Sequence, residues 1–268
     1  LQKSAVTTNG FNCNFRAANG VLSLNNLIVD ALDSSNRFVN LDNINLNSNI
    51  VILNVQNDFT IAHGKVKGSG VDTYYGGNVI NNGELNLNNN TNFGNYIDGN
   101  SVSTSKPQII SGTGAFNAQT DIFNNNPSNT GSVSQLRVNN TSAEGVTFLV
   151  PFSAVNGLTM TEGIIHTSST SVLNVGNPAM SPTAFINGNF GPTCYIDGPV
   201  SKVIGAGQNA IDLTNGSMFL EQFFFPVGKS SYTPIWVAVT TPGGGFGSPG
   251  TNVKVEAFET NPGSPSSN

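Results

Sequence analysis

The sequence predicts an all-β fold: a right-handed parallel β-helix (solenoid) over residues 1–215, followed by a small β-sandwich-like cap over 216–268. Three observations lead there. First, Asn-Gly followed by apolar residues at every second position recurs. It reads Asn19-Gly20-Val21-Leu22-Ser23-Leu24, Asn82-Gly83-Glu84-Leu85-Asn86-Leu87 and Asn215-Gly216-Ser217-Met218-Phe219-Leu220, with a shifted relative at Asn156-Gly157-Leu158-Thr159-Met160. Asn-Gly accepts positive φ and turns the chain sharply, and the alternation that follows buries one face of a short strand. Second, 41 of the 268 residues are Asn, and stacked coils align equivalent turn positions so that side-chain amides can form ladders. Third, no window of eleven or more residues fits a 3.6-residue period, so helix signals are missing throughout.

Taken in order, residues 1–60 hold alternating runs at Phe11 to Phe15, Val21 to Ile28, Phe38 to Leu46 and Ile50 to Val55, separated by Asn, Ser or Asp. Short strands about every ten residues suit a sandwich as well as a rod of coils, and the asparagines tilt the reading to the rod. Asn40, Asn43, Asn45, Asn47, Asn49 and Asn54 read as turn and outward positions. Further coils follow at Ile109 to Phe116, Val133 to Val138, Val146 to Val150, Val155 to Met160, Gly163 to Ile165 and Leu173 to Val175. From about residue 216 the character changes. Phe219 to Phe225 holds four Phe, and Ile235, Val237 and Val239 alternate, as do Val253, Val255 and Ala257. The aromatic cluster is expected to plug the open end of the solenoid, whose last coil otherwise exposes apolar surface and strand edges.

Only 9% of residues are charged, against about 25% in ordinary soluble proteins. The 37% hydrophobic content, phased at period two, still argues for an ordered chain. Net charge is −5 and the basic residues stand singly, which argues against nucleic acid and anionic membranes as partners. No apolar run reaches membrane-spanning length, so no membrane insertion is expected. Cys13 and Cys194 lie far apart and outside any Cys-x-x-Cys or Cys/His cluster. A solenoid puts them on distant coils, so two buried free thiols are expected rather than a disulfide. Leu1-Gln2-Lys3 opens without signal-peptide features and Asn261 to Asn268 reads as a linker, so the segment is expected to be internal to a longer chain.

The densest polar chemistry lies at 61–100. His63, Lys65, Lys67, Asp72, Tyr74 and Tyr75 are candidate glycan contacts, with Tyr96 and Asp98 further on. Lys65 and Lys67 share a strand face, and adjacent aromatics suit stacking on sugar rings. The competing reading is a solvated strand and a Gly-rich loop anchored by tyrosines. Asp58 with His63, Lys65 and Asp72 is the one nucleus for polysaccharide-cleaving chemistry, which needs paired carboxylates, or Ca²⁺ with a basic residue. No cofactor is expected; Ca²⁺ in the Asp/Asn turns stays open. Asp197 reads as a turn residue. An ice-binding face would need regular Thr rows, and Thr7-Thr8, Thr159, Thr161 and Thr167 are too irregular.

Residues Gly131 to Asn140, Val155 to Ile165 and Leu173 to Gly176 resemble the repeat region of large Bacteroidetes cell-surface proteins. So do Cys194-Tyr195-Ile196-Asp197-Gly198-Pro199-Val200 and the stretch Phe225-Pro226-Val227-Gly228 with Tyr232-Thr233-Pro234. The likeness covers about 110–260, departs at Thr233 where Arg is usual, and lacks the family's C-terminal sorting domain. These proteins are secreted by the type IX system and include gliding-motility adhesins. The resemblance implies secretion, an extracellular or cell-surface location and an adhesive or filament role without catalytic residues. The expected partners are a glycan, a solid surface or neighbouring copies of the chain. The alternative is a β-helix that binds or cleaves polysaccharide as a lyase or glycosidase.

Overall fold

The computed structural model describes residues 6–7, 13–14, 20–30, 38–40, 52–68, 71–87, 91–97, 100–117, 132–176, 184–204, 223–237 and 251–259. Among them there is no helix. The chain winds through short strands, each stacked in parallel on its counterpart one coil away.

Strands β1 (Val6–Thr7) and β2 (Cys13–Asn14) open the stack. The next coil holds β3 (Val21–Leu24), β4 (Leu27–Asp30) and β5 (Phe38–Asn40), followed by β6 (Ile52–Val55), β7 (Phe59–His63) and β8 (Lys65–Gly68). Then come β9 (Asp72–Tyr75), β10 (Val79–Asn81) and β11 (Glu84–Leu87). Three faces result. The first carries β3, β6 and β9, the second β1, β4, β7 and β10, and the third β2, β5, β8 and β11.

β12 (Thr91–Phe93) continues the first face, and β13 (Asn95–Ile97) with β14 (Asn100–Val102) then leave it as an antiparallel hairpin. β15 (Gln108–Ser111) and β16 (Ala115–Asn117) resume the second and third faces. β17 (Ser132–Asn139) and β18 (Val146–Phe148) lead into β19 (Phe152–His166), which bends through all three faces as one strand. The sequence reading separates Val155–Met160 from Gly163–Ile165; the structure joins them because ladder pairing persists around the corner. β20 (Leu173–Val175), β21 (Phe185–Gly188), β22 (Cys194–Asp197) and β23 (Val200–Ile204) complete a further turn. The result is a solenoid of largely parallel strands.

At the far end are β24 (Phe223–Phe225), β25 (Val227–Gly228), β26 (Ile235–Val237) and β27 (Thr251–Val255). β25 still stacks in parallel on β22, whereas β27 runs antiparallel along β23 and β24 pairs antiparallel with β26. The boundary expected near 216 lies outside the described residues.

Period-two alternation fills the interior. Val55, Tyr75, Phe93, Val138 and Met160 stand in register on the first face, all essentially inaccessible. An aromatic file runs down the lumen, with ring centroids 5.2 Å apart for Phe59–Tyr75, 6.1 Å for Tyr75–Phe93, 5.7 Å for Phe93–Phe148 and 5.0 Å for Phe148–Phe152. Each such ring, fully buried, contributes about 1.5–3 kcal/mol, and the tilted packing adds to that.

Asparagine sets the corners. Between the first and second faces, Asn26 Oδ1 accepts from the Asp58 amide, Asp58 Oδ1 from the Asn78 amide and Asn78 Oδ1 from the Ile109 amide, at 2.9–3.1 Å. This ladder needs an acceptor oxygen, which Asn and Asp both supply. Beside it, Asn57 Nδ2 donates to Asn25 Oδ1 at 2.5 Å. Of the asparagines expected at turn and outward positions, Asn40 lies in β5 and Asn54 in mid-β6, buried, its amide 3.4 Å from Ser23 Oγ. Asn43, Asn45, Asn47 and Asn49 lie outside the described residues.

The Asn-Gly phrases divide by cause. Gly20 has positive φ, at 71°, as the turn argument requires. Gly83 and Gly157 do not; there glycine is needed for room. A Cβ at Gly83 would strike the Gly64 carbonyl, and one at Gly157 would lie 2.7 Å from the Phe185 ring. Gly112 carries both burdens, with φ of 117° and the Asn81 backbone against its α-carbon.

Gly112→Ala is therefore expected to destabilise by at least about 2 kcal/mol, measured as a lower midpoint in urea unfolding. Asn78→Ala is expected to cost about 0.5–1.5 kcal/mol by removing the bond to the exposed Ile109 amide, whereas Asn78→Asp keeps the acceptor and most of the stability.

Candidate functional site

Neither tyrosine of the expected glycan site presents a ring face to solvent. Tyr75 points into the lumen between Phe59 and Phe93 and is fully buried. Burial pushes its phenol far above the ordinary range, with a smaller opposing effect from Thr73. Tyr74 points outward on the first face, yet is only 5% exposed. β13 lies against β6 and against β9, the strand that carries Tyr74. Sugar stacking on the adjacent pair is thus corrected: consecutive strand residues face opposite ways, and here both ways are closed.

The charged candidates occupy different corners. His63 ends β7 on the second face, and its Nδ1 lies 2.8 Å from Asp30 Oδ1 on the previous coil. Lys65 lies on the third face, its ammonium 2.6 Å from Glu84 Oε2 on the next coil. Lys67 stands in register with Asn86 in the ladder of β8 and β11. Asp72 opens β9 on the first face, half-buried, beside Ile52. Asp58 belongs to the corner ladder. The nucleus of Asp58, His63, Lys65 and Asp72 is therefore dispersed around the coil. Of the further residues, Tyr96 lies on β13, and Asp98 falls outside the described residues.

A second polar cluster sits on the second face near the far end. Asp197 Oδ2 lies 3.2 Å from His166 Nδ1, and Asp197 Oδ1 accepts from Lys229 Nζ at 2.9 Å. The aspartate raises the Lys229 ammonium above its usual value, first through that hydrogen bond and then through its charge. Asp197, expected as a simple turn residue, thus ties three levels of the stack together. Lys106 makes a comparable link to Asn57.

Cys194 is a free, buried thiol whose pKa is pushed up to about 11, chiefly by burial and further by the Glu162 charge. Cys13 lies in β2 at the opposite end, roughly 30 Å away at about 4.8 Å per coil. A bridge between them is out of reach.

A groove of about 420 Å³ runs across three coils beside Asn140, Ser142, Glu162, Ile164, Pro192 and Thr193. Asn140 there is committed to structure, its amide donating to Lys106 O and Gln108 Oε1, each at 2.9 Å. Among the described residues no cluster of three or more His, Cys, Asp or Glu is placed to hold a metal ion.

The phenylalanine run behaves differently from the expected plug. Phe223 and Phe225 are buried, but Phe224 faces outward and packs on exposed Trp236, with centroids 4.6 Å apart. On the other side Phe190 lies 5.3 Å from Phe224. Alternation within Phe223-Phe224-Phe225 was the available signal, since three consecutive strand residues cannot all point inward. No protein-family model, curated protein or solved structure matches the chain.

The high thiol pKa has a signed consequence. A folded pKa raised from 9.0 to about 11 favours folding fully below pH 9 and progressively less as pH climbs toward 11. Unfolding free energy is expected to fall by roughly 2–3 kcal/mol over that interval from this group, and the fall is expected to shrink in Cys194→Ala, read from urea midpoints at pH 8 and pH 10.5.

Proposed function

We propose that this chain is a non-catalytic, extracellular structural or adhesive segment of a large bacterial surface protein or filament. In this reading the solenoid is right-handed and the antiparallel strands at its far end form the cap. The observation that carries it is the use of polar side chains between coils. Asp30 with His63, Lys65 with Glu84, and Asp197 with His166 and Lys229 each link one level of the stack to the next. Asn26, Asp58 and Asn78 do the same along a corner.

Such linkages suit a stiff, protease-resistant spacer. Exposed ion pairs contribute only about 0–1 kcal/mol each, so rigidity comes from their repetition along a continuous backbone ladder. Low charge and polar outward faces suit weak, multivalent contact, where many sites compensate for poor individual affinity. The likeness of residues 110–260 to type IX-secreted surface proteins supports the same reading and suggests secretion by that route.

The test is brief proteolytic shaving of intact cells, followed by a blot with an antibody to this segment. A surface segment is expected to run far above 28.0 kDa in untreated cells and to be released by shaving. A free antigen of 28.0 kDa in the medium, together with polysaccharide cleavage lost in Asp72→Ala or Lys65→Ala, would overturn the proposal in favour of an enzyme.

A further inference from the structure

We infer that Phe190, Phe224 and Trp236 form a docking platform for a single, soluble, neutral polysaccharide chain. This names a partner for the surface segment proposed above and rests on that reading. The platform is a product of alternation. In β24, Phe223 and Phe225 are buried and leave Phe224 outside; in β26, Ile235 and Val237 pack on the core and leave Trp236 outside. Antiparallel register then sets Phe224 directly opposite Trp236. Phe190, just beyond β21, extends the file from the other side. Trp236 is 57% exposed, and the two phenylalanines are partly so.

Trp236 stands in water with the half-buried rings of Phe224 and Phe190 in file behind it, and an indole left so exposed forgoes the stabilisation that burial would give, which marks the strip as a place of recognition. An aromatic face carries negative quadrupolar charge. It attracts the C–H face of a pyranose, which is apolar and slightly positive, while the hydroxyl rim stays solvated or hydrogen-bonded. Exposed Asn187 and Asn189, immediately before Phe190, offer amides to such a rim, although Asn189 Nδ2 already reaches Thr161 O at 3.2 Å. The indole N–H of Trp236 adds a donor. The residues flanking Phe190 and Trp236, from Asn187 to Pro192 and from Pro234 to Val237, carry no charge, and the Lys202 ammonium beside β24 lies over the buried Phe223 ring, 5.4 Å from its centroid, which favours a neutral sugar over an anionic one.

Ring inclination decides between a soluble chain and a solid. Phe190 and Phe224 are inclined at 49°, and Phe224 and Trp236 at 52°. A flat crystalline face cannot lie on three rings so inclined. A free chain can, because successive sugars rotate about their linkages.

The single tryptophan makes the test direct, since emission excited at wavelengths beyond tyrosine absorption reports Trp236 alone. Cellohexaose, laminarihexaose, maltohexaose and xylohexaose are titrated in solution, and microcrystalline cellulose is tested by sedimentation. At least one hexasaccharide is expected to shift the emission saturably. In affinity electrophoresis with the matching polymer, Trp236→Ala and Phe224→Ala are each expected to weaken retention by about tenfold or more. Melting temperature should stay unchanged for Trp236→Ala, and retention unchanged for Leu149→Ala, an exposed apolar side chain outside the strip. The inference is overturned if no hexasaccharide alters the emission, if Trp236→Ala is retained as well as the parent, or if crystalline cellulose binds as strongly as the soluble chain. A sugar-independent emission shift that grows with protein concentration would overturn it in favour of a second copy of the chain. Shaving does not depend on this strip, so a surface-exposed segment that binds none of the sugars sinks the platform and leaves the surface reading standing.

Discussion

Everything in this molecule depends on stacking in register, each strand bonded in parallel to the one a coil away at about 4.8 Å. Once Val55, Tyr75, Phe93, Val138 and Met160 are aligned, the residue types on either side are aligned too. A one-residue slip would turn the aromatic file outward and bring its polar neighbours into the lumen. Register is held from inside by the rings and from outside by the corners. The side-chain ladder of Asn26, Asp58 and Asn78 bonds each coil to the next coil's backbone rather than to its own.

The same constraint governs polar chemistry. In a globular fold, Asp58, His63, Lys65 and Asp72 are close enough in sequence to converge. In a solenoid, closeness in sequence distributes residues around a coil, whereas residues roughly one coil apart become neighbours. His63 therefore meets Asp30, Lys65 meets Glu84 and Asp197 meets His166. Side chains that might have made a site act as links between levels. The thiol of Cys194 is likewise withdrawn, buried and held protonated at neutral pH.

The far end obeys a different rule. Here β27 turns antiparallel along β23, and β24 pairs antiparallel with β26 in a separate two-stranded sheet. Antiparallel pairing lets Phe224 and Trp236 face one another across two strands. In the parallel part the described rings from Phe59 to Phe152 instead follow one another along a lumen file.

The sequence by itself determined the all-β class and the solenoid architecture and gave grounds to expect the free thiol of Cys194, whereas Asn40 and Asn54, read as turn and outward positions, lie within strands. Period two, turn residues and composition are local properties, and a solenoid is built mostly from local repetition. Tertiary structure decided the rest. Gly83 and Gly157 are needed for packing against neighbouring coils rather than for positive φ, which no dipeptide rule reveals. Tyr74 points outward yet is only 5% exposed, so alternation gave its direction correctly but not its exposure. Phe190 and Trp236 meet through Phe224 only because the chain end folds back on the stack. Direction is set by neighbours in sequence; exposure and partnership are set by segments distant in sequence, and only the folded chain brings those together.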